Sequence, residues 1–589
     1  MTDWNLKARH FRGLLLAIVI FSFATRLLLV DYNLPPHIVE DEGSDLSTAA
    51  QLLTGELPQR HVRYQRGLIA SNNLIPIAGV FAINFVTGQI NSVDAFQDLY
   101  FTDRAQFTLA TRIWMSLLTS TAIGLIGLAT GYYRREAGIL AALILTINGF
   151  VLHTTLFAMP DALVFFAAGF SLFMIMRLWH YRRSRDYVFA ALSLALVMLA
   201  KLQAAPMGLA FLLVHGMIVY DSGNKRPLLF LFAYFRDKNL WIAALAGISG
   251  NVLFNPLAFI HPDDFLYEAS RFSPLLETTL FETGVSSQQR LITEFEKLVV
   301  IAWRWAFVLT MTGLFFSWRL RRNQAYWIFL AASVPVFIIT IRSQIFPITH
   351  FYYWTPFIAL MAPVAAIGLW EVVLWLAERQ KPLVRVALLP VVVFVVLEGS
   401  FFLHIFNIMQ QPLTLEQALD YVEENIPPDS TVMIGDTLIY SVALQRTETS
   451  IRRAADLSGR MLSRWQYQLD NPDAVTAPLF DIYGAEMFAL FDSFDEMVQL
   501  IDDEQVQYFI VADYCDGRLI DPSASSSVVY PPVDPDMVSA WNLLAVFSPY
   551  DTDECGTYIH TRTKITFFDD IVRQQRGGPI VRIYEIPQN

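Results

Sequence analysis

Charge is scarce in this chain: Asp, Glu, Lys and Arg make up 16% of its 589 residues and apolar types 54%, whereas an average soluble domain is about 25% charged. That composition excludes a soluble globule as the reading of the whole chain. Basic residues are in deficit as well, 42 Lys and Arg against 54 Asp and Glu. A net charge of −12 lacks the basic footprint that phosphate-backbone binding requires, so nucleic acid is not an expected partner. Two cysteines are too few for a disulfide framework. Cys515 and Cys555 lack the spacing of a zinc site, and a single bridge between them stays open. No tandem repeat or low-complexity tract occurs, so collagenous and disordered readings fall away. Also missing are a P-loop, a Rossmann glycine pattern, a His-Glu-x-x-His string and a nucleophile elbow. Their absence lowers nucleotide-driven catalysis and serine hydrolysis in rank.

What the chain does have is a series of apolar runs of about 18 to 25 residues, each long enough to cross the hydrocarbon layer. Candidate spans lie near 13–30, 107–131, 138–156, 162–178, 187–203, 206–220, 239–260, 297–317, 325–341, 353–377 and 386–408. The first follows Lys7, Arg9 and Arg12 without a small-residue cleavage site before Asp31, which predicts an uncleaved span and a cytoplasmic amino terminus. Lys and Arg then gather in alternate loops, at Arg134 and Arg135, Arg182 to Arg185, Lys225 to Lys238, Arg319 to Arg322, and Arg379 to Arg385. This is the positive-inside pattern of eleven crossings, provided that Leu74–Val86 lies along the membrane surface. Residues 31–106 are therefore read as one long external loop with surface helices.

After Gln410 the long apolar runs stop. Residues 411–589 hold 29 Asp and Glu against 11 Lys and Arg, a net −18, which leaves +6 for the remainder. The expected division is a polytopic membrane domain, 1–409, and an acidic extracytoplasmic domain, 410–589. Thr414 with Gln417 reads as a capping box opening a helix, and Phe494–Ile501 as a second helix. Strand-like runs fall at Thr431–Ile434, Tyr508–Val511, Leu543–Phe547, Thr557–Phe567 and Ile580–Ile586. The alternation predicts an α/β domain. The fold class is then an α-helical polytopic membrane protein with a carboxyl-terminal α/β domain.

Three consecutive carboxylates, Glu40, Asp41 and Glu42, follow the first span, with Asp45 just beyond. Packing alone does not explain them; one can serve as a general base, or the group can ligate a divalent cation. Asp161 stands in the short link between the third and fourth spans, as a helix cap or a functional carboxylate. Cations stand at the external ends of spans, where few are expected: Arg26, Arg112, Lys201 and Arg342, with His350 titratable. Arg26 either snorkels to the interface or serves the site, whereas Lys201 interrupts an otherwise apolar stretch. Near mid-membrane the main ionisable residue is Glu398. Carboxylates and cations thus meet at the external face. That suits chemistry on a lipid-linked phosphate, in which cations stabilise the departing phosphate while a carboxylate deprotonates the incoming hydroxyl. A transporter, with its site usually at the midplane, fits less well.

In order along the chain stand a basic amino terminus, Arg26 in the first span, Asp41-Glu42 early in a long external loop, Pro160-Asp161, Lys201, and His350-Phe351-Tyr352-Tyr353-Trp354-Thr355-Pro356. This order resembles the GT-C integral-membrane glycosyltransferases, in particular the dolichyl-phosphate-mannose protein mannosyltransferase and aminoarabinose transferase group, over residues 10 to 410. The resemblance implies transfer of a sugar from a polyprenyl-phosphate donor to a protein, lipid or glycan acceptor on the extracytoplasmic face of a cytoplasmic membrane. It implies Asp41 as the base, Glu42 as its support, and Asp161 as orienting the acceptor. Lys201, Arg342 and His350 would hold the donor phosphate, with Glu40, Arg26, Arg112 and Tyr352 in support. No cofactor is required by it, and a divalent cation stays open. Members often carry an Arg a few positions before the second-loop Asp, where this chain has Leu156 and Phe157. A second reading is a non-catalytic protein of the same build, acting as a lipid-linked sugar translocase or an envelope-assembly subunit.

Overall fold

In the computed structural model the described residues are 6–32, 34, 40–54, 67–222, 226–256, 263, 320, 323–343, 354–379, 388–435, 442–459, 461–484, 494–513, 539–551 and 574–588. They form two compact units, one of residues 1–30, 44–80 and 108–405, the other of 31–43, 81–107 and 406–589.

The first unit is helical. Its elements are α1 (Ala8–Leu27), α2 (Glu40–Thr54, whose first turn belongs to the second unit), α3 (Gly67–Val86, the second unit from Phe81 on), α5 (Arg104–Gly131, the second unit up to Phe107), α6 (Arg135–Thr146), α7 (Gly149–Thr154), α8 (Pro160–Tyr181) and α9 (Ser184–Ala200). A helix α4 (Val93–Thr102) precedes α5 and belongs to the second unit. Then follow α10 (Gly208–Asp221), α11 (Pro227–Arg236), α12 (Lys238–Phe254), α13 (Gln324–Ser343), α14 (Thr355–Arg379) and α15 (Leu389–Met409). Among the described residues seven helical runs are long and apolar enough to cross a membrane. The protein is a multi-pass membrane protein. Helix α14 is at the centre of its unit: every residue from Trp354 to Glu371 is buried, and it packs on α6, α8 and α13.

Several expected spans differ in detail. The run 138–156 is not one helix, because Asn148 breaks it: its side chain accepts the Val151 N–H at 2.9 Å and restarts the chain as α7. The stretch expected to lie on the surface is the second half of α3, a helix of 20 residues, as long as a span. Its first turn, at Leu68 and Ile69, packs with Met115, Leu118, Ala162 and Leu163. The expected span 297–317 lies outside the described residues. Helix α11 has no buried residue, and its ten residues reach only about 15 Å, half the hydrocarbon thickness.

Small residues set the closest approaches. Gly124, Gly127 and Gly131 of α5 receive Val19, Leu15 and Phe11 of α1, while Gly127 and Gly131 also meet the backbone of α6 at Gly138. A Cβ on Gly138 would stand 2.5 Å from the Gly127 carbonyl oxygen and 3.0 Å from the Gly131 nitrogen, both backbone atoms that cannot step aside. Gly138→Ala is therefore expected to destabilise the bundle by about 1–3 kcal/mol. A thermal melt of the purified protein checks this; an unchanged melting temperature would refute the packing argument.

The second unit contains a six-stranded sheet of order β2-β3-β1-β4-β6-β5. Its strands are β1 (Thr431–Gly435), β2 (Gln445–Arg446), β3 (Leu479–Tyr483), β4 (Tyr508–Asp513), β5 (Asn542–Phe547) and β6 (Ile580–Glu585). The first four are mutually parallel, and β6 and β5 are antiparallel additions. Helices α16 (Thr414–Asn425), α17 (Glu448–Ser458), α18 (Ser463–Asp470) and α19 (Phe494–Asp503) connect them. Met433, Tyr483, Phe509, Val511 and Tyr584 of the strands pack on Met497 and Ile501 of α19, a buried cluster on one face of the sheet. The cap of α16 differs from expectation: Glu416, not Gln417, accepts the Leu413 N–H at 2.9 Å. The Thr414 hydroxyl instead donates to the Pro579 carbonyl at 2.6 Å, which fastens the helix beside β6. The expected strand 557–567 and both cysteines lie outside the described residues.

Candidate active site

In the first unit the site begins with Pro160 in the first turn of α8, where a missing N–H costs no helical bond. Asp161 follows, 1% exposed. Lys201 stands where α9 ends: its backbone is extended, and the chain resumes as a 3-10 turn over Leu202–Met207 containing Pro206. The break frees Lys201 from the helix surface, and its Nζ donates to Asp161 Oδ1 at 2.8 Å. A lysine in hydrocarbon is costly alone and tolerable when paired.

Register explains the meeting. Arg182 closes α8 in a left-handed conformation, φ 58°, and α9 returns antiparallel. Arg177 Nε to Asp186 Oδ1 at 2.8 Å clasps the turn end, Ser171 and Ser193 hydroxyls meet midway at 3.1 Å, and the Asp161–Lys201 pair clasps the far end. The two ion pairs are about 24 Å apart along α8 at 1.5 Å per residue. The Asp161–Lys201 pair is therefore at the end of α8 opposite the basic turn of Arg182 and Arg183.

Arg112 of α5, fully buried, reaches the same end. Its Nη1 donates to the Val30 carbonyl at 3.0 Å, and its guanidinium stands 5.1 Å over the ring of Phe157, four residues before Asp161. Arg26 does not snorkel. It is 0% exposed, and its Nη1 donates back along α1 to the Ser22 carbonyl at 3.1 Å and the Ser22 hydroxyl at 2.7 Å. The reason is geometric, since helical side chains point toward the amino terminus of their helix, here back toward Ser22. The Ser120 hydroxyl of α5 completes this polar seam at 3.3 Å from that of Ser22.

In the second unit Glu40, Asp41, Glu42 and Gly43 form the first turn of α2, with Glu42 1% exposed. Arg104, at the start of α5, donates from Nη2 to the Gly43 carbonyl at 2.6 Å. Sequence reasoning missed this anchor; its only signal is a lone cation just ahead of an apolar run. A Cβ on Gly43 would lie 2.7 Å from that same nitrogen. The side chains of Glu40, Asp41 and Arg342, and the whole of His350 and Tyr352, lie outside the described residues. Among the described residues no group of three or more His, Cys, Asp or Glu could hold a metal ion.

No curated protein matches the chain significantly. Of solved structures, one likeness is to an oligosaccharyltransferase of Archaeoglobus fulgidus in complex with Zn and sulfate, at 13% identity and TM-score 0.44, over 90% of this chain and 71% of that one. Another is to ArnT of Cupriavidus metallidurans bound to undecaprenyl phosphate, at 12% identity and TM-score 0.43, over 89% of this chain and 97% of that one. Residues 102–236 match the family model described as dolichyl-phosphate-mannose-protein mannosyltransferase. That segment contains Arg112, Asp161 and Lys201, and through it the chain resembles the GT-C integral-membrane glycosyltransferases.

Proposed function

We propose that the protein is an inverting glycosyltransferase that moves a sugar from a polyprenyl-phosphate donor to a hydroxyl acceptor on the extracytoplasmic face of the cytoplasmic membrane. The observation that carries this reading is the part-buried Lys201–Asp161 pair at the broken junction of α9 and the 3-10 turn, inside the matched segment. A transferable ammonium at the membrane interface suits a ligand that brings its own negative charge. When the donor phosphate arrives, Lys201 exchanges one anionic oxygen for another, and Asp161 turns to the acceptor. Arg112 braces the loop of Phe157 that leads to Asp161. Arg342 and His350 complete the donor contacts, with Arg26 and Tyr352 in support.

Asp41 accepts the acceptor hydroxyl proton. The new bond forms between that oxygen and the anomeric carbon as the bond from that carbon to the phosphate oxygen breaks, and the polyprenyl phosphate leaves with the electron pair. Glu42 and Glu40 keep the environment of Asp41 anionic. Orientation follows the alternating basic loops, with a cytoplasmic amino terminus, α3 not crossing, and residues 410–589 outside.

Gly43→Ala tests the placement of the first turn of α2. The intruding Cβ meets the far end of a flexible side chain, so thermal stability is expected to stay within about 0.5 kcal/mol. The Arg104 bond to the Gly43 carbonyl is lost, however, and a misplaced base lowers transfer by roughly 10- to 100-fold. Wild-type transfer by a stable Gly43→Ala protein would contradict this reading of α2.

A further inference from the structure

Helix α11 joins α10 to α12 without leaving one end of the first unit. Asp221, which closes α10, pairs with Arg182 at 2.7 Å, and Arg182 is the residue that turns α8 into α9. Beyond α11, helix α12 runs alongside α9: a Cβ on Gly247 would stand 3.9 Å from the Ala191 carbonyl oxygen, and one on Gly250 3.0 Å from Ala195 Cβ. The same register carried back to Lys238 sets the start of α12 level with Arg182 and Arg183. Between these two points α11 crosses α10, because Tyr234 and Phe230, one turn apart, both rest over Gly216, 3.5 Å and 3.7 Å from where its Cβ would be. With both ends at one level, the axis of α11 lies in the plane of the membrane that the neighbouring runs Pro160–Tyr181 and Leu202–Asp221 are long and apolar enough to cross.

Side-chain bonds hold it at that depth. Buried His215 of α10 donates from Nε2 to the Tyr234 carbonyl at 3.0 Å, since a carbonyl only accepts, which leaves Nδ1 of the neutral ring to accept from the Tyr187 hydroxyl at 2.9 Å. The Tyr234 hydroxyl donates to the Leu212 carbonyl at 3.1 Å, and Trp241 Nε1 of α12 to the Phe235 carbonyl at 2.8 Å. The Tyr234 and Phe235 carbonyls belong to the last turn of α11, where helical partners run out. Helices α10 and α12 therefore cap it from both sides.

Beside the half-buried Phe230, Ala233 and Tyr234, the rest of the helix is apolar and uncovered: Leu228 is 83% exposed, and Leu229, Leu231, Phe232 and Phe235 each more than half. It lacks the polar face of an amphipathic helix that floats at the water surface, so these side chains lie among lipid tails. Exposed cations stand at its two ends, Arg226 before it and Arg236 and Lys238 after it. Among the described residues no carboxylate pairs with any of the three. Arg236 leans over the Phe232 ring at 5.6 Å, and the Asp237 carboxylate caps the Asn239 N–H at 2.8 Å. Long basic side chains at the ends of a submerged helix reach up to the headgroup phosphates.

We propose that α11 is an in-plane anchor that seats acidic phospholipids, with their tails along its uncovered apolar side chains and their phosphates on Arg226, Arg236 and Lys238. The occupant is the bulk lipid of one leaflet and not the sugar donor, because these cations stand at the end of α8 opposite the Asp161–Lys201 pair. The anchor is independent of the transfer chemistry.

The test is native mass spectrometry of the full-length protein in detergent, titrated with phosphatidylglycerol and, separately, with phosphatidylcholine. Each cation near acidic headgroups strengthens binding roughly fivefold, so the wild type is expected to hold phosphatidylglycerol at least about tenfold more tightly than phosphatidylcholine. The triple variant Arg226→Gln, Arg236→Gln, Lys238→Gln should lose that preference. Its altered side chains are exposed, so its melting temperature in phosphatidylcholine nanodiscs should match the wild type. Arg226→Lys with Arg236→Lys, which keeps the charges, should retain the preference. Arg9→Gln with Arg12→Gln, which removes exposed cations of α1 instead, should leave it intact. Equal affinity of the wild type for the two lipids overturns the proposal, as does a preference that survives in the triple variant. Equal loss in the Arg9, Arg12 variant also overturns it, because the attraction then belongs to the basic loops at large and not to α11.

Discussion

Asp41→Asn is expected to lower sugar transfer by on the order of 10²–10⁴-fold, the range for loss of a positioned general base. Asparagine keeps the shape of the side chain and cannot take the proton. Position 41 lies in the first turn of α2, where the backbone is held by Arg104 at Gly43, so the variant should fold and insert as the wild type does. Glu42→Gln should cost less in rate and more in stability, because Glu42 is 1% exposed and its burial is matched to its partners. The assay is transfer of labelled sugar in proteoliposomes loaded with a polyprenyl-phosphate sugar. If Asp41→Asn retains wild-type transfer, another group is the base. If neither protein transfers sugar while both move the sugar lipid across the bilayer, the translocase reading takes over.

The second large effect concerns the ion pair. Lys201→Ala leaves the Asp161 carboxylate, 1% exposed, without its cation, and breaking a buried pair in this way costs about 3–5 kcal/mol. Transfer should be lost at the same time, since the donor phosphate loses its ammonium. The double variant Asp161→Asn, Lys201→Met removes both charges with similar volumes and should regain most of the stability, as replacement of a whole buried pair often does. It should not regain transfer. This split between folding and activity is what distinguishes a functional pair from a clasp that only holds α8 to α9. Recovery of activity together with stability would make the pair structural.

How far the sequence foretold this architecture depends on the kind of signal. Asp161 and Lys201 stand out because each interrupts apolar sequence, but their pairing does not, since it depends on the register that the left-handed turn at Arg182 imposes on α8 and α9. The helix breaks at Asn148 and Lys201 are hidden for a related reason: hydropathy stays high on both sides, while the break is made by a local side-chain cap in one case and a 3-10 turn in the other. For Arg26 the sequence shows the depth along α1 but not the direction of the side chain, back toward Ser22, so snorkelling and an inward role are not distinguished there. In the carboxyl-terminal domain the apolar strands β1, β4, β5 and β6 are legible. Strands β2 and β3 and helices α17 and α18 are not, being short and mixed in character, with order that comes from parallel pairing across long sequence separations.

The most direct test of the central claim is where a lipid phosphate binds. A structure of the protein in nanodiscs with added polyprenyl phosphate should place the phosphate oxygens within hydrogen-bond distance, about 2.7–3.2 Å, of Lys201 Nζ. The Asp161 contact, 2.8 Å without donor, should then be shared or released. Phosphate density elsewhere, with the Lys201–Asp161 bond intact, would contradict the assignment of this pair as the donor site.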